Sequence, residues 1–365
     1  MRILLWHVHG GWMEAFVRGR HQYLLPATPE RDGWGLGRGG RSWPGSAVEI
    51  APEQLRGADI DLVVLQRPAE LDACARLLGR RPGRDLPAVY LEHNTPRGSV
   101  PDTRHPLSGQ DRIPIVHVTH FNRLFWDNGA APVRVIEHGI PDPGYLYTGD
   151  REHLGVVVND PVRRARVAGT DLLPGFADTA PLEVFGLGGE RLPEVLGLGP
   201  DRLQMRGDLP VARLHARLAG CRAYLHPMRW TSLGLSLLEA MHLGLPVLAL
   251  ATTEAARAVP PDAGCVSNNP VELHRAAREL LADPELARER GRAARRWALA
   301  RYGLARFLAD WDALLVELAA GAPGSGTGTP EPSGPAAGRA SGPTDAAGGP
   351  SEAASIPAST GGGQQ

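Results

Sequence analysis

Polar groups that can bind a phosphorylated sugar are concentrated in residues 226–250, HPMRWTSLGLSLLEAMHLGLPVLAL. The order of residue types predicts a loop, a short helix and a buried strand. Thr231 and Ser232 stand where a helix N-cap is expected, and the start of a helix leaves several backbone N–H groups without partners inside it. Such N–H groups attract phosphate. Those predicted to be free here belong to Leu233, Gly234 and Leu235.

Glu239 follows about two helical turns after this start. A carboxylate in that place can accept hydrogen bonds from two hydroxyl groups of a sugar. The run Gly244-Leu245-Pro246 then ends the helix, and the apolar strand VLAL follows. An ordinary amphipathic surface helix carrying a solvated glutamate is the alternative interpretation of LSLLEAM.

The same segment closely resembles the signature of the family 4 glycosyltransferases, in which a glutamate, a Gly-Phe-Gly-like run, Leu-Glu-Ala-Met and Gly-x-Pro-Val follow one another. In that family two glutamates stand eight positions apart, and the second holds the ribose of a nucleotide-sugar donor. Glu239 fits the second position, whereas Thr231 occupies the first. The resemblance implies that backbone groups from Ser232 to Leu235 hold the sugar and phosphate of the donor. Thr231 puts a neutral hydroxyl where the family has a carboxylate.

Arginines supply a second set of candidates, in NDPVRRARVAGTDLL. Arg163, Arg164 and Arg166 stand in a predicted loop before a helix, and guanidinium groups suit a diphosphate leaving group. The resemblance implies a catalytic role for Arg163 and Arg166, although the Lys-Gly pair of the family is replaced by Ala168-Gly169. Either Arg166 or Arg164 then supplies the second cation, or the donor is bound less firmly. Solvated loop arginines are the alternative.

The basic residues are all of one kind, because the sequence contains no lysine and its 39 basic residues are arginines. An arginine cannot lose its proton at physiological pH, so every cationic group here keeps its charge. Schiff-base chemistry and a lysine general base are therefore excluded.

A glycine pair follows the first predicted strand, in HVHGGW. Gly10 and Gly11 let the backbone approach a ligand closely and can present N–H groups to an anion. A tight turn without a ligand is the alternative. Family members carry a glycine pair in the same place, and the resemblance implies that it faces the donor phosphate and the acceptor.

Several histidines stand at predicted strand ends, where parallel sheets bind ligands. His93 in YLEHNTPRG resembles the family's histidine beside the donor sugar and the reacting bond, which implies a catalytic role. His138 in IEHGIPDPG occupies a position near the hinge. Two histidine pairs have a spacing that metal ligands can have, His7 with His9 and His117 with His120. No nearby Asp or Cys cluster completes a metal site in the sequence. The sequence predicts no metal site and no cofactor, with the nucleotide sugar as a co-substrate.

Strands and helices alternate along the chain, so these candidates must be positioned by parallel sheets covered on both faces. The pattern also predicts a helix over residues 15–25. The expected fold is α/β of the GT-B type: two facing Rossmann-like, doubly wound domains with a cleft between them. The expected domains are residues 1–145 on the acceptor side and 146–318 on the donor side, with a disordered tail over 319–365. The helical stretch 270–318, interrupted at Pro284 and near Gly303, resembles family helices that pack back on the first domain.

Composition favours a cytoplasmic enzyme. The net charge of -1 gives no long-range reason to bind nucleic acid, and no stretch has the length of about 18 apolar residues that a membrane span needs. Cys74, Cys221 and Cys265 are odd in number and have apolar neighbours, which indicates reduced thiols. The sequence does not predict an oligomeric state.

The predicted function is transfer of a sugar from a nucleotide-sugar donor to an unknown acceptor. The resemblance implies retention of anomeric configuration without a divalent metal. Two alternatives stay open: a catalytically inactive relative that binds a nucleotide sugar or a partner protein, and a nucleotide-sugar epimerase, for which no positioned acid and base are evident.

Overall fold

A computed structural model describes residues 1–100 and 102–321 of the chain. Residues 1–135 form a seven-stranded parallel sheet with helices on both faces. Its strands are β1 (Arg2–Leu5), β2 (Gln22–Pro26), β3 (Ala47–Ile50), β4 (Leu62–Leu65), β5 (Ala88–Glu92), β6 (Ile115–His117) and β7 (Val133–Val135). Its helices are α1 (Gly10–Phe16), α2 (Glu70–Leu78) and α3 (His120–Phe125), with a 3-10 turn at Pro52–Gly57.

A second parallel sheet, of six strands, begins at Arg151. Its strands are β8 (Arg151–Val157), β9 (Leu182–Phe185), β10 (Leu203–Gly207), β11 (Cys221–His226), β12 (Val247–Leu250) and β13 (Gly264–Ser267). Its helices are α4 (Pro161–Ala168), α5 (Leu173–Ala177), α6 (Leu192–Leu196), α7 (Val211–Leu218), α8 (Leu235–Leu243), α9 (Ala255–Ala258), α10 (Pro270–Ala282) and α11 (Pro284–Tyr302). The 3-10 turns Thr170–Leu172 and Pro261–Ala263 precede α5 and β13.

Both sheets are doubly wound, which confirms the predicted fold class. The strand orders are β3-β2-β1-β4-β5-β6-β7 and β10-β9-β8-β11-β12-β13. Every strand pair is parallel, with register such as Ile3 opposite Leu62. Strands β4, β5 and β11 are buried along their whole length, because helices cover both faces.

The helix predicted over residues 15–25 is wrong. Helix α1 ends at Phe16, and the following residues turn into strand β2. Tyr23 and Leu25 pack in one apolar core of the first domain and Leu24 in the other. This two-residue alternation suits a strand between β1 and β3. Gly19 sits at the turn, where a Cβ atom would lie 2.2 Å from the Tyr23 hydroxyl.

The C-terminal helices connect the two halves. The helical stretch breaks at Pro284 and Gly303, as predicted, and gives α10, α11 and α12 (Leu304–Ala320). Phe307, Trp311 and Leu315 of α12 are buried in the core of the first domain, against α1 and the sheet.

The predicted domain boundaries stay a prediction, with 145/146 lying between the end of β7 and the start of β8. Residues 319 and 320 of the predicted tail belong to α12, and residues 322–365 lie outside the described residues. Among the helices in the described part of the chain, none is long and apolar enough to cross a membrane.

Candidate active site

The carboxyl ends of both sheets open onto one cavity of about 760 Å³. Parallel doubly wound sheets bind ligands where the strand order reverses, which here is between β1 and β4 and between β8 and β11. The first domain contributes Val8, His9, Gly10, Gly11, Trp12, His93, Asn94, Thr95, Arg97 and His138 to the lining. The second contributes Arg163, Arg164, Val167, Trp230, Thr231, Ser232, Leu233 and Leu235.

The loop between β11 and α8 forms one wall, but not through the predicted cap. Helix α8 begins at Leu235 with Gly234 as its N-cap, and no side chain caps it. Thr231 and Ser232 therefore precede the cap, because the chain is still irregular at these residues and only Gly234 has the extended conformation of an N-cap. The N–H groups of Leu233, Gly234 and Leu235 make no hydrogen bond to any described residue. The free N–H groups expected from the sequence are thus present beside two hydroxyl groups.

The arginine segment lies in α4, not in a loop. Arg163 lines the cavity and makes an ion pair with Asp160 at 2.6 Å. Arg164 also lines it, and within the described residues its guanidinium makes no ion pair. Partial burial lowers the pKa of Arg164 from its ordinary value, and a half-buried cation without a partner attracts an anion.

The structure does not bring Arg166 to the cavity. Its side chain is 75% exposed and pairs with Asp171 at 2.9 Å. Arg229 pairs with the same carboxylate. This ion pair connects the 3-10 turn after α4 to the loop between β11 and α8. Of the two arginines considered as the second cation, Arg164 is the one that the fold places at the site.

Glu239 lies outside the cavity lining, on the side of α8 that faces α7. Its carboxylate is partly exposed, with Oε2 3.8 Å from Nε2 of His215. The ribose contact therefore stays a prediction.

The glycine pair lies close to both walls of the cavity. Gly10 and Gly11 open helix α1. A Cβ atom on Gly11 would lie 2.8 Å from Cδ1 of Leu235 in the second domain, and one on Gly10 would lie 2.6 Å from the Arg41 guanidinium in the first. A side chain at Gly11 would require Leu235 to move, and one at Gly10 would require Arg41 to move.

Three histidines occupy the wall of the first domain. The rings of His9 and His93 are 3.9 Å apart, and Nε2 of His93 lies 3.2 Å from Oε1 of Gln66. Burial holds the pKa of His93 well below its ordinary value and lowers that of His138 to about 3. All three are neutral near pH 7, since burial also lowers the pKa of His9. Neutral imidazoles can both donate to and accept from sugar hydroxyls.

Several lining residues were not singled out from the sequence. Asn94, Thr95 and Arg97 follow β5, and Trp12 follows the glycine pair. Their position after a strand was the available signal, because strand carboxyl ends form the site in this kind of sheet.

Comparison with known proteins gives a family match and structural matches. Residues 194–297 match the family model for glycosyl transferases group 1. The match lies within the second domain and supports glycosyltransferase activity. No curated protein matches the sequence.

Solved structures share the GT-B fold over most of the chain. A sucrose-phosphate synthase from Thermosynechococcus elongatus is similar with a TM-score of 0.66 and 16% identity, covering 88% of this chain and 100% of that one. HepE from Anabaena in complex with UDP-glucose is similar with a TM-score of 0.64 and 15% identity, covering 87% of this chain and 100% of that one. A glycosyltransferase from Rickettsia africae is similar with a TM-score of 0.61 and 12% identity, covering 88% of this chain and 98% of that one.

Proposed function

We propose that this glycosyltransferase holds a nucleotide-sugar donor on the second domain and the acceptor on the first, and transfers the sugar in the cavity between them. One observation carries the proposal. Arg164, Leu233 and Leu235 line one wall, the last two with free backbone N–H groups, opposite Gly11 and His93, whereas Gly234 lies between them outside the lining. A diphosphate matches the charged wall, and neutral polar groups suit the hydroxyls of the sugar and acceptor.

Arginine charge is proposed to replace a metal ion at the leaving group. The described lining residues include no Asp or Glu, and oxygen ligands are what Mg²⁺ and Ca²⁺ require from a protein. Arg163 and Arg164 instead stabilise the negative charge that grows on the diphosphate as its bond to the sugar breaks.

The same lining supports the proposal that configuration is retained. No carboxylate among the described lining residues can act as a nucleophile or base, and the lowered pKa values make the histidines weak bases. The departing phosphate oxygen then takes the proton of the acceptor hydroxyl. Because that oxygen leaves from the face that the acceptor attacks, the new bond forms on the same face of the sugar.

Product analysis with a panel of nucleotide sugars tests the proposal. A glycosylated acceptor, or donor hydrolysis in its absence, supports a transferase. A changed donor sugar would indicate an epimerase, and binding without turnover an inactive relative. Turnover that EDTA abolishes and Mg²⁺ or Mn²⁺ restores would contradict the arginine mechanism. The cytoplasmic location stays a prediction from cysteine usage.

A further inference from the structure

Helix α3 of the first domain packs against the second domain beside residues 227–234, the loop between β11 and α8. We call this segment the donor loop. The Phe121 N–H donates to Oε2 of Glu254 at 2.8 Å, and Glu254 is buried. The Trp230 indole N–H donates to the Pro96 carbonyl at 3.1 Å. Its ring meets Phe121 and Phe125 edge to face, at 5.4 and 6.2 Å. Two polar contacts and an aromatic cluster therefore join the domains at one edge of the cavity.

Asn122 lies at the centre of this contact and is fully buried. Its backbone N–H donates to the Thr119 hydroxyl, which fixes the residue at the start of α3. Its side-chain N–H₂ donates to Oγ of Ser232 at 2.9 Å, across the domains, and to the His93 carbonyl at 3.4 Å, within its own domain. One amide group thus bonds a residue from each wall of the cavity.

We propose that Asn122 is a positioning residue that fixes the distance between the His93 loop and the donor loop at Ser232, and so sets the alignment of the two substrates. The inference rests on the proposed function for its kinetic consequence. Its mechanical consequence, a fixed separation of the domains, does not depend on catalysis. Asn122 does not line the cavity, so it acts through the residues it holds.

The expected effect of Asn122→Ala is a separation of turnover from donor binding. Arg164 and the free N–H groups all belong to the second domain, so the Kd for UDP should change by less than threefold. The rate of donor consumption should fall at least tenfold, because the first-domain wall loses its fixed position. Ser232→Ala removes the same hydrogen bond, and the double variant should lose no more than the worse single variant.

Asn128→Ala is the matched control. Asn128 also lies in the first domain just after α3, and its amide group bonds Trp126 and His117 without reaching the second domain. A loss of stability confined to the first domain would appear in both asparagine variants. A change of domain separation is expected only in Asn122→Ala.

Small-angle X-ray scattering of the full chain, with and without UDP, gives the readout that does not need activity. The radius of gyration should increase in Asn122→Ala and in Ser232→Ala and stay at the wild-type value in Asn128→Ala. If Asn122→Ala does not fold, Ser232→Ala decides, since it breaks the same bond by removing a single hydroxyl from a loop residue. Wild-type scattering in the folded variants would overturn the proposal. If no donor is consumed by the wild type, the proposed function fails, while the scattering result still decides the role of Asn122.

Discussion

The two walls of the cavity use different chemistry. The wall from the second domain offers permanent charge and fixed dipoles, from Arg163, Arg164 and the free N–H groups before α8. The wall from the first domain offers mainly neutral groups, with the buried His138 and the half-buried His93 beside the glycine pair, and its one cation is the exposed Arg97 among the described lining residues. The charged wall can hold a diphosphate at any pH near neutral, whereas the histidine wall keeps its hydrogen-bonding pattern only while it stays uncharged.

The difference teaches how such a site divides its work. A nucleotide diphosphate is common to many donors, and a wall of charge and backbone groups recognises it by features that do not vary. Acceptors differ in shape and hydroxyl pattern, and a wall of neutral side chains from separate strand ends can vary one residue at a time. The comparison predicts that changes on the second domain weaken nucleotide binding, while acid acts mainly on the first.

Acid should weaken the first domain more than the second. Burial lowers the pKa of His117 and His226 to about 4 and that of His138 to about 3, from an ordinary value of 6.5, and lowers that of His93 as well. Three of these four histidines are in the first domain. Because the unfolded chain takes up the protons first, stability is complete above pH 6.5 and is lost as the pH falls towards 4. His117, His138 and His226 each contribute about 1.4 kcal/mol per pH unit in that window.

Hydrogen exchange at pH 7.5 and 5, corrected for intrinsic rates, measures the effect in each sheet. Amides of β1, β4, β5 and β6 should lose more protection than those of β8, β11 and β12. His117→Gln should reduce the loss in the first sheet, and His226→Gln should affect only the second. Equal loss in both sheets would contradict the comparison.

The two walls also differ in how well the sequence predicts them, because the residues of one wall are close together in the chain and those of the other are far apart. The donor loop and its helix are contiguous, so residue types and spacing were enough to predict them. The first-domain wall is assembled from residues after β1, β5 and β7, which only the sheet order brings together. Spacing along the chain cannot predict that His9 and His93 touch, or that Asn122 reaches Ser232.

Local chemistry also failed at particular places. Strand β2 was predicted as helix because QYLLP follows an amphipathic run, and its pairing with β1 and β3 decided the outcome. The sequence does not predict three short elements, the strands β3 and β13 and the six-residue helix α3. Elements this short carry too little hydrophobic periodicity to be recognised. The cap at Thr231 failed because several residues before α8 are polar and only the fold selects where the helix starts.

Arg164→Ala should weaken nucleotide binding more than any other single change on the second wall. Arg164 lines the cavity without an ion pair to a described residue, so a bound phosphate gains a charged hydrogen bond there. Loss of such a bond costs about 2 kcal/mol, or roughly 30-fold in Kd. Arg166→Ala is the matched control, because that exposed arginine pairs with Asp171 outside the cavity. Calorimetry with UDP and with uridine separates phosphate recognition from base recognition. Equal weakening for both ligands in Arg164→Ala would contradict a phosphate contact.

Glu239→Ala should have a smaller effect on the same wall. The carboxylate is partly exposed and lies beyond the cavity lining, next to His215. A ribose contact there should contribute roughly tenfold to the Kd for UDP, with an equal effect on uridine. Glu279→Ala removes a carboxylate that pairs only with Arg275 on the surface of α10, and should leave binding unchanged. An unchanged Kd for both ligands in Glu239→Ala would remove the ribose contact from the model of the site.

Thr231→Ala should have the smallest effect on stability and turnover. It tests whether the second-domain wall needs this hydroxyl to act on the donor sugar. The residue lines the cavity three positions before the N-cap of α8, so Thr231→Ala removes no cap and should change the free energy of unfolding by less than about 0.5 kcal/mol. Turnover should fall about two- to tenfold, since a neutral hydroxyl that bonds the donor sugar contributes about 0.5–1.5 kcal/mol.

The reverse change, Thr231→Glu, asks what the carboxylate of related enzymes would add here. A carboxylate at this position can offset positive charge developing at the anomeric carbon, which a hydroxyl cannot. If the wild type is an active transferase, the added negative charge lies close to the diphosphate and should weaken UDP binding without raising turnover. If the wild type is silent and Thr231→Glu consumes donor, catalysis was lost at this position. The chain would then be a binding protein built on the transferase fold, and its charged wall would serve recognition alone.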